Sequence, residues 1–140
     1  MENQRPESAE IRTLGSERGS ELIEFALSFT VLMLVIFGVV ELGLAVWQRN
    51  MVSNLAQEGA RWASVHGAAS ASPATSSDVQ TYVNTRSVGM NVTVTAAWTP
   101  DAKAGSTVTV QVQKSFAGFT SYVLPSALTL SSTAKMIVAR

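Results

Sequence analysis

The 140-residue chain has no cysteine and a single histidine. The missing thiols exclude disulfide frameworks, thiol catalysis and cysteine metal sites. His66 alone cannot build a multi-histidine metal centre. Charge is scarce as well. Charged residues make up 14% of the chain, against roughly 25% in an ordinary soluble domain, which argues against a plain cytosolic globule. Ten basic residues balance ten acidic ones, so no global field gathers nucleic acid or an anionic surface. No phosphate loop, dinucleotide fingerprint or zinc-helix motif is present. Asp78 and Asp101 sit where a helix cap and a turn are expected, positions that Asp takes for backbone reasons. A triad drawn from His66 and one of the many serines has nothing in the sequence to position it. These absences point away from an enzyme and imply no cofactor and no metal.

What is present is unevenly spread. Residues 1–61 hold eight acids and five bases, a balance of −3, and residues 62–140 hold two acids and five bases, a balance of +3. The first 24 residues carry nine of the twenty charges with almost no apolar pattern. That opening reads as a solvated leader. Composition then changes abruptly at Leu22.

From Phe25 to Val40 sixteen residues pass without a charge, and after Glu41 the run continues apolar from Leu42 to Trp47. As a helix, Leu22–Trp47 is about 39 Å long, enough to cross a hydrocarbon core of roughly 30 Å. Three readings compete. A buried core helix that is apolar on every side needs more surrounding protein than this chain supplies. A cleaved secretory signal should be shorter and followed at once by a small-residue site, yet the nearby A-x-A, Ala69-Ser70-Ala71, lies far beyond the block. A membrane-spanning helix carries the most weight, with Trp47 as an interfacial anchor at its far end. Arg5, Arg12 and Arg18 precede the span, and Arg49 and Arg61 follow it. Three against two favours a cytoplasmic N-terminus.

The junction ahead of the span reads Arg18-Gly19-Ser20-Glu21-Leu22-Ile23-Glu24-Phe25. A charge within the bilayer costs roughly 2.5–3.5 kcal/mol at the helix centre and less near the interface. Glu24 therefore needs interfacial depth or a cationic partner. A cut after Gly19 would give Ser20 a new ammonium group, with which Glu24 of a neighbouring subunit could pair. The plainer reading is that Glu24 marks where the helix leaves water.

At this point the sequence resembles known proteins. Gly19, four further residues, Glu24 and a long apolar run are similar to the cleavage site of type IV prepilins. Arg49-Asn50-x4-Leu55-Ala56-Gln57-Glu58-Gly59-Ala60-Arg61-Trp62-Ala63 resembles the signature of the TadE-like pilus assembly family. The family's VEFA appears as Ile23-Glu24-Phe25-Ala26, and its FGxxExG as Phe37-Gly38-Val39-Val40-Glu41-Leu42-Gly43. The resemblance covers about residues 18–66. It implies a minor pilin, or pseudopilin, of tight-adherence (Flp-type) pilus machinery, cut by a prepilin peptidase between Gly19 and Ser20 on the cytoplasmic side. Glu24, with Phe25 beside it, maps onto the fifth mature residue, used in subunit packing. Short major Flp pilins carry Glu-Tyr there. Glu24-Phe25 and the long C-terminal region resemble an accessory subunit instead. The first nineteen residues hold four Glu, more acidic than the usual prepilin leader. The implied partners are the prepilin peptidase, other pilins or pseudopilins, the inner-membrane pilus platform and membrane lipid, in a homo- or hetero-oligomer.

Beyond the span, Val52, Leu55, Gly59, Trp62 and His66 recur at helical spacing, with Gln57, Glu58 and Arg61 largely on the other side. An unbroken helix from Ser20 to Val65 would be about 69 Å long, a pilin-like stalk. Gly59 costs about 1 kcal/mol relative to Ala within a helix. Close packing of another element would explain it, as would simple tolerance. Glu58-Gly59-Ala60-Arg61 reads as a seat for the stalk on its own sheet or as a partner surface. His66, just before Gly67, reads as a helix-end cap rather than a ligand.

Residues 68–77 form a small-residue linker. Ser77-Asp78-Val79-Gln80 resembles a capping box, opening a short helix to about Arg86 that buries Val79, Tyr82 and Val83 and ends by Gly89. Val92, Val94, Ala96 and Trp98 alternate as a strand. Pro100 to Gly105 turns the chain, and Val108, Val110 and Val112 alternate again, which predicts an antiparallel hairpin. Phe116–Pro125 reads as a mixed connection. Leu128, Leu130, Ala134, Met136 and Val138 mark a third strand. Outward Thr and Ser suit a solvated sheet face. Asn91-Val92-Thr93 fits a glycosylation sequon, a match that is common by chance.

The sequence thus predicts an α+β protein: a long N-terminal transmembrane and stalk helix followed by a small antiparallel sheet domain. Its expected segments are a cytoplasmic leader (1–19), a transmembrane helix (20–47), a helical stalk continuation (48–67), a linker (68–77) and an exported α+β domain (78–140). The expected role is assembly, as a minor pilin of the cytoplasmic membrane with its C-terminal domain outside the cytoplasm. The alternative is an unprocessed single-pass membrane-anchored binding module.

Overall fold

The computed structural model describes residues 7–116, 118 and 128–139. Five elements follow in order: α1 (Glu7–Val65), α2 (Ser76–Arg86), β1 (Thr93–Thr99), β2 (Thr107–Phe116) and β3 (Leu128–Ile137). The chain divides into two compact units, Met1–Val40 and Glu41–Arg140. The architecture is the expected one, a long N-terminal apolar helix followed by a small three-stranded antiparallel sheet. The expected connection at Phe116–Pro125 lies outside the described residues, except that Phe116 closes β2 and Gly118 follows it.

In the first unit α1 is already helical at Glu7, within the segment that composition marks as a solvated leader. No proline interrupts residues 7–65, and the charged residues there are good helix formers, so helix extends backward from the apolar run. The apolar side chains are exposed all round: Leu22, Leu27, Phe29, Val35 and Val39 keep between 47% and 69% of their surface. Thr30 returns its hydroxyl hydrogen to the Ala26 carbonyl at 2.7 Å, which lets a polar side chain sit in apolar surroundings. Phe25 stacks on Phe29, centroids 5.9 Å apart. The apolar helix, Gly19–Val65 by its bounds, is long and apolar enough to cross a membrane.

The second unit has its core between the rest of α1, α2 and one face of the sheet. The sheet order is β1-β2-β3, antiparallel throughout. The period-2 valines set the register: Val94 faces Val112, Ala96 faces Val110 and Trp98 faces Val108. On the other side Val108 faces Met136 and Val110 faces Ala134. Val108, Val110 and Val112 are fully buried because β2 is the central strand. The opposite face presents Thr95, Thr107, Thr109, Thr133 and Lys135, polar as the alternation requires.

The buried face of α1 is turned from the expected one. Val52, Leu55 and Gly59 face the core, and so do Ala56, Ala60 and Ala63, all three fully covered. Trp62 and His66 lie half-buried at its margin. Alanines at the contact let the helix approach the sheet closely, which larger side chains would prevent.

Helix α2 begins at Ser76, earlier than the expected box. Its N-cap is Thr75, not Ser77: the Asp78 amide donates to Thr75 Oγ1, and the Thr75 amide donates to Asp78 Oδ2 at 2.9 Å. Asp at the third helical position closes the reciprocal pair as Glu or Gln would. The Thr75 amide first, and then the Thr75 hydroxyl, which donates to Asp78 Oδ2 at 2.7 Å, hold the Asp78 carboxyl below its ordinary range. Ser76 Oγ accepts the Ala96 amide at 3.1 Å, so the start of α2 satisfies part of the β1 edge. Val79 and Val83 are buried, with Tyr82 half-buried. The helix ends at Arg86, and Gly89 follows with φ of 71°. Between β1 and β2, Asp101 accepts hydrogen bonds from Ser106 Oγ at 2.7 Å and the Lys103 amide at 3.0 Å. The Ser106 hydroxyl chiefly lowers its pKa, helped by the Lys103 amide.

Candidate functional site

The residues singled out in the sequence fall into three places on α1. The first is the junction at Gly19. Gly19, Ser20, Glu24 and Phe25 all lie within the helix. A Cβ added to Gly19 would meet nothing within 4 Å, so the absent side chain leaves open backbone there. Glu24 is exposed and makes no ion pair among the described residues. Phe25 is 68% exposed.

The second is Glu41, the acid inside the apolar block. Its side chain is half-buried and its carboxylate lies against Gly118. A Cβ on Gly118 would collide with Glu41 Oε1 and would come within 2.7 Å of the Phe116 ring. A side chain at position 118 would therefore displace the Glu41 carboxylate or the Phe116 ring. By contrast, Gly38 and Gly43, which flank Glu41 in sequence, face open space.

The third is Glu58–Trp62. Each residue of this run meets a different surrounding. Glu58 Oε1 pairs with Arg86 Nε at 2.7 Å. Gly59 lets α2 close in: a Cβ there would stand 2.8 Å from Val83 Cγ2 and 3.3 Å from Val110 Cγ1. Ala60 is fully buried. Arg61 is exposed and has no carboxylate partner among the described residues. Trp62 is the middle of a stack: its ring lies 4.8 Å from Tyr82 and 4.1 Å from His66, nearly parallel to both. The Arg86 guanidinium lies over the Tyr82 ring, 4.1 Å from its centroid. His66 Nδ1–H donates to the Trp62 carbonyl at 2.8 Å, occupying an acceptor that the helix end leaves open.

This run thus joins α1 to α2 and the sheet. The exposed Glu58–Arg86 pair contributes at most about 1 kcal/mol, and the cation over Tyr82 about 0.5–1 kcal/mol. The close approach at Gly59 and the burial of Ala60 carry the rest. Sequence reasoning missed Arg86. Its signal was the four-residue spacing from Tyr82, which puts both side chains on one face of α2.

Beside the stack an open groove of about 610 Å³ is lined by Asn54, Gln57, Arg61, Trp62, Tyr82 and Met136 among others. Among the described residues no group of three His, Asp or Glu is placed to hold a metal ion.

These features define a class: an α+β protein with an apolar helix suited to a membrane anchor and a small antiparallel sheet domain. Residues 19–61 match the family described as TadE-like protein. The match opens on Gly19, closes on Arg61 and includes Glu24, Glu41 and Glu58. The TadE-like family implies a part in assembly of tight-adherence pili. No curated protein and no solved structure matches the chain.

Proposed function

We propose that this chain is a minor pilin, or pseudopilin, that takes part in assembling a tight-adherence (Flp-type) pilus. Its role is assembly rather than catalysis. A prepilin peptidase cuts between Gly19 and Ser20 on the cytoplasmic side of the membrane, and the chain beyond Trp47 lies on the other side. Its partners are that peptidase, other pilins or pseudopilins and the inner-membrane pilus platform.

The observation that carries this reading is the sequence of surroundings along α1. An open glycine comes first, then Glu24 at the fifth position from Ser20, then an apolar helix whose side chains are exposed on every side. Such a surface needs lipid or neighbouring helices around it. Glu24 at its start, where an unpaired carboxylate is unfavourable, pairs with the Ser20 ammonium of a neighbouring subunit and fixes the axial register. Glu24→Gln should leave cleavage intact and lower the yield of other pilins that co-purify from membranes. Undiminished co-purification would contradict the pairing.

A second reading has one observation in its favour. Four Glu precede Ser20, where a prepilin leader is usually basic. On that reading the protein keeps its N-terminus and displays its domain as a membrane-anchored binding module.

A further inference from the structure

Glu41 is the one charged residue between Phe25 and Trp47. Around it the outward sides of α1 stay apolar: Leu42 is 69% exposed, Leu44 50%, Val46 60% and Trp47 52%. Only then do polar residues follow, Gln48, Arg49 and Asn50. An apolar helix surface that ends on a tryptophan marks the edge of the hydrocarbon at that residue. Glu41 then lies six residues deeper, about 9 Å, where a carboxylate needs protein cover.

The cover comes from one end of the sheet. Gly118 lies against the Glu41 carboxylate, with the Phe116 ring beside it. Phe116 pairs across the ladder with Leu128, which is 55% exposed. Arg49 shares a cleft with Leu128, Thr129 and Ser131, and it makes no ion pair among the described residues. Phe116 is buried, so the exposed face of this end is Leu128 with the Arg49 guanidinium and the neighbouring hydroxyls, the composition of a membrane-interface surface. The far end of β3 differs: the Ala139 amide donates to the Ser64 carbonyl, so that end lies beside the close of α1.

We propose that the sheet end formed by Phe116, Gly118 and Leu128 dips into the bilayer interface beside α1, with Arg49 against lipid phosphates and Glu41 shielded below it. The domain is seated on the membrane rather than held clear of it. This rests on the membrane anchorage proposed above, and not on processing or on a pilus.

The absence of cysteine makes the test direct. Single variants Phe29→Cys, Leu128→Cys and Ile137→Cys of the full chain carry one fluorophore each, in phospholipid vesicles whose acyl chains are brominated near the carbonyl end. Leu128 and Ile137 are both exposed and stand at opposite ends of β3, roughly 30 Å apart. The Phe29 and Leu128 probes should be quenched several-fold more than the Ile137 probe. Equal quenching at Leu128 and Ile137, with Phe29 quenched, overturns the seating alone. An unquenched Phe29 probe overturns the anchorage, and the seating with it.

Discussion

Gly59 of α1 and Val83 of α2 approach so closely that a methyl group on the glycine would stand 2.8 Å from Val83 Cγ2. Val110 of the central strand closes the same spot at 3.3 Å. Three elements therefore meet at one missing side chain, and the fully buried valines around it have few rotamers to yield.

Gly59→Ala sets helix propensity against packing. Alanine gains about 1 kcal/mol in a helix interior, whereas overpacking a filled core costs about 1–3 kcal/mol. Packing should win, and Gly59→Val should be worse than Gly59→Ala. Thermal unfolding of the variants should show a lowered midpoint in that order. An unchanged or raised midpoint for both would mean that the contact at Gly59 is not tight.

The second unit should fold without the span. Every residue of the buried core lies at Val52 or beyond, so a fragment from Asn50 to Arg140 keeps all of it. Its circular dichroism should show mixed helix and sheet. A disordered spectrum would mean that the sheet needs residues before Asn50 or a partner subunit.

Much of this unit was legible in the sequence because its signals are local. The valines at every second position gave β1 and β2, and Pro100–Gly105 gave the turn between them. The cap of α2 was displaced because both Thr75 and Ser77 have an acceptor-bearing side chain three residues on, and only the fold decides between them. Ala56 and Ala63 stand outside the apolar periodicity because alanine carries little hydropathy, and Ala60 entered only through the Glu58–Arg61 motif; their burial follows from where the sheet sits. The pairing of Arg86 with Glu58 and the contact of Gly118 with Glu41 join distant parts of the chain, so no periodicity announces them.

Acid should weaken the second unit in a defined window. Asp78 and Asp101 are both held below the ordinary value of 3.8 by hydrogen bonds to their carboxylates. A group whose folded pKa is lowered contributes its full stability above the unfolded value and loses it as pH falls through the folded one. Stability should therefore be flat through neutral pH and fall below about 3.8. In Asp78→Asn and Asp101→Asn the drop attributable to each group should vanish. Chemical denaturation at a series of pH values reads this, and acid limbs identical to the parent in both variants would refute it.

Orientation is read by a reporter fused after Arg140. Activity that requires export is expected if the domain lies outside the cytoplasm. Activity of a cytoplasm-only reporter at that position would reverse the topology.

The central claim is that this chain is a processed pilin, and the mass of the membrane-resident protein tests it most directly. In cells that contain the prepilin peptidase, the mature protein should begin at Ser20, shorter by the nineteen leader residues. Gly19→Phe, which fills the open space at the junction, should leave the longer form. A wild-type protein that begins before Ser20 while the peptidase is present would contradict the account and leave the anchored binding module in its place.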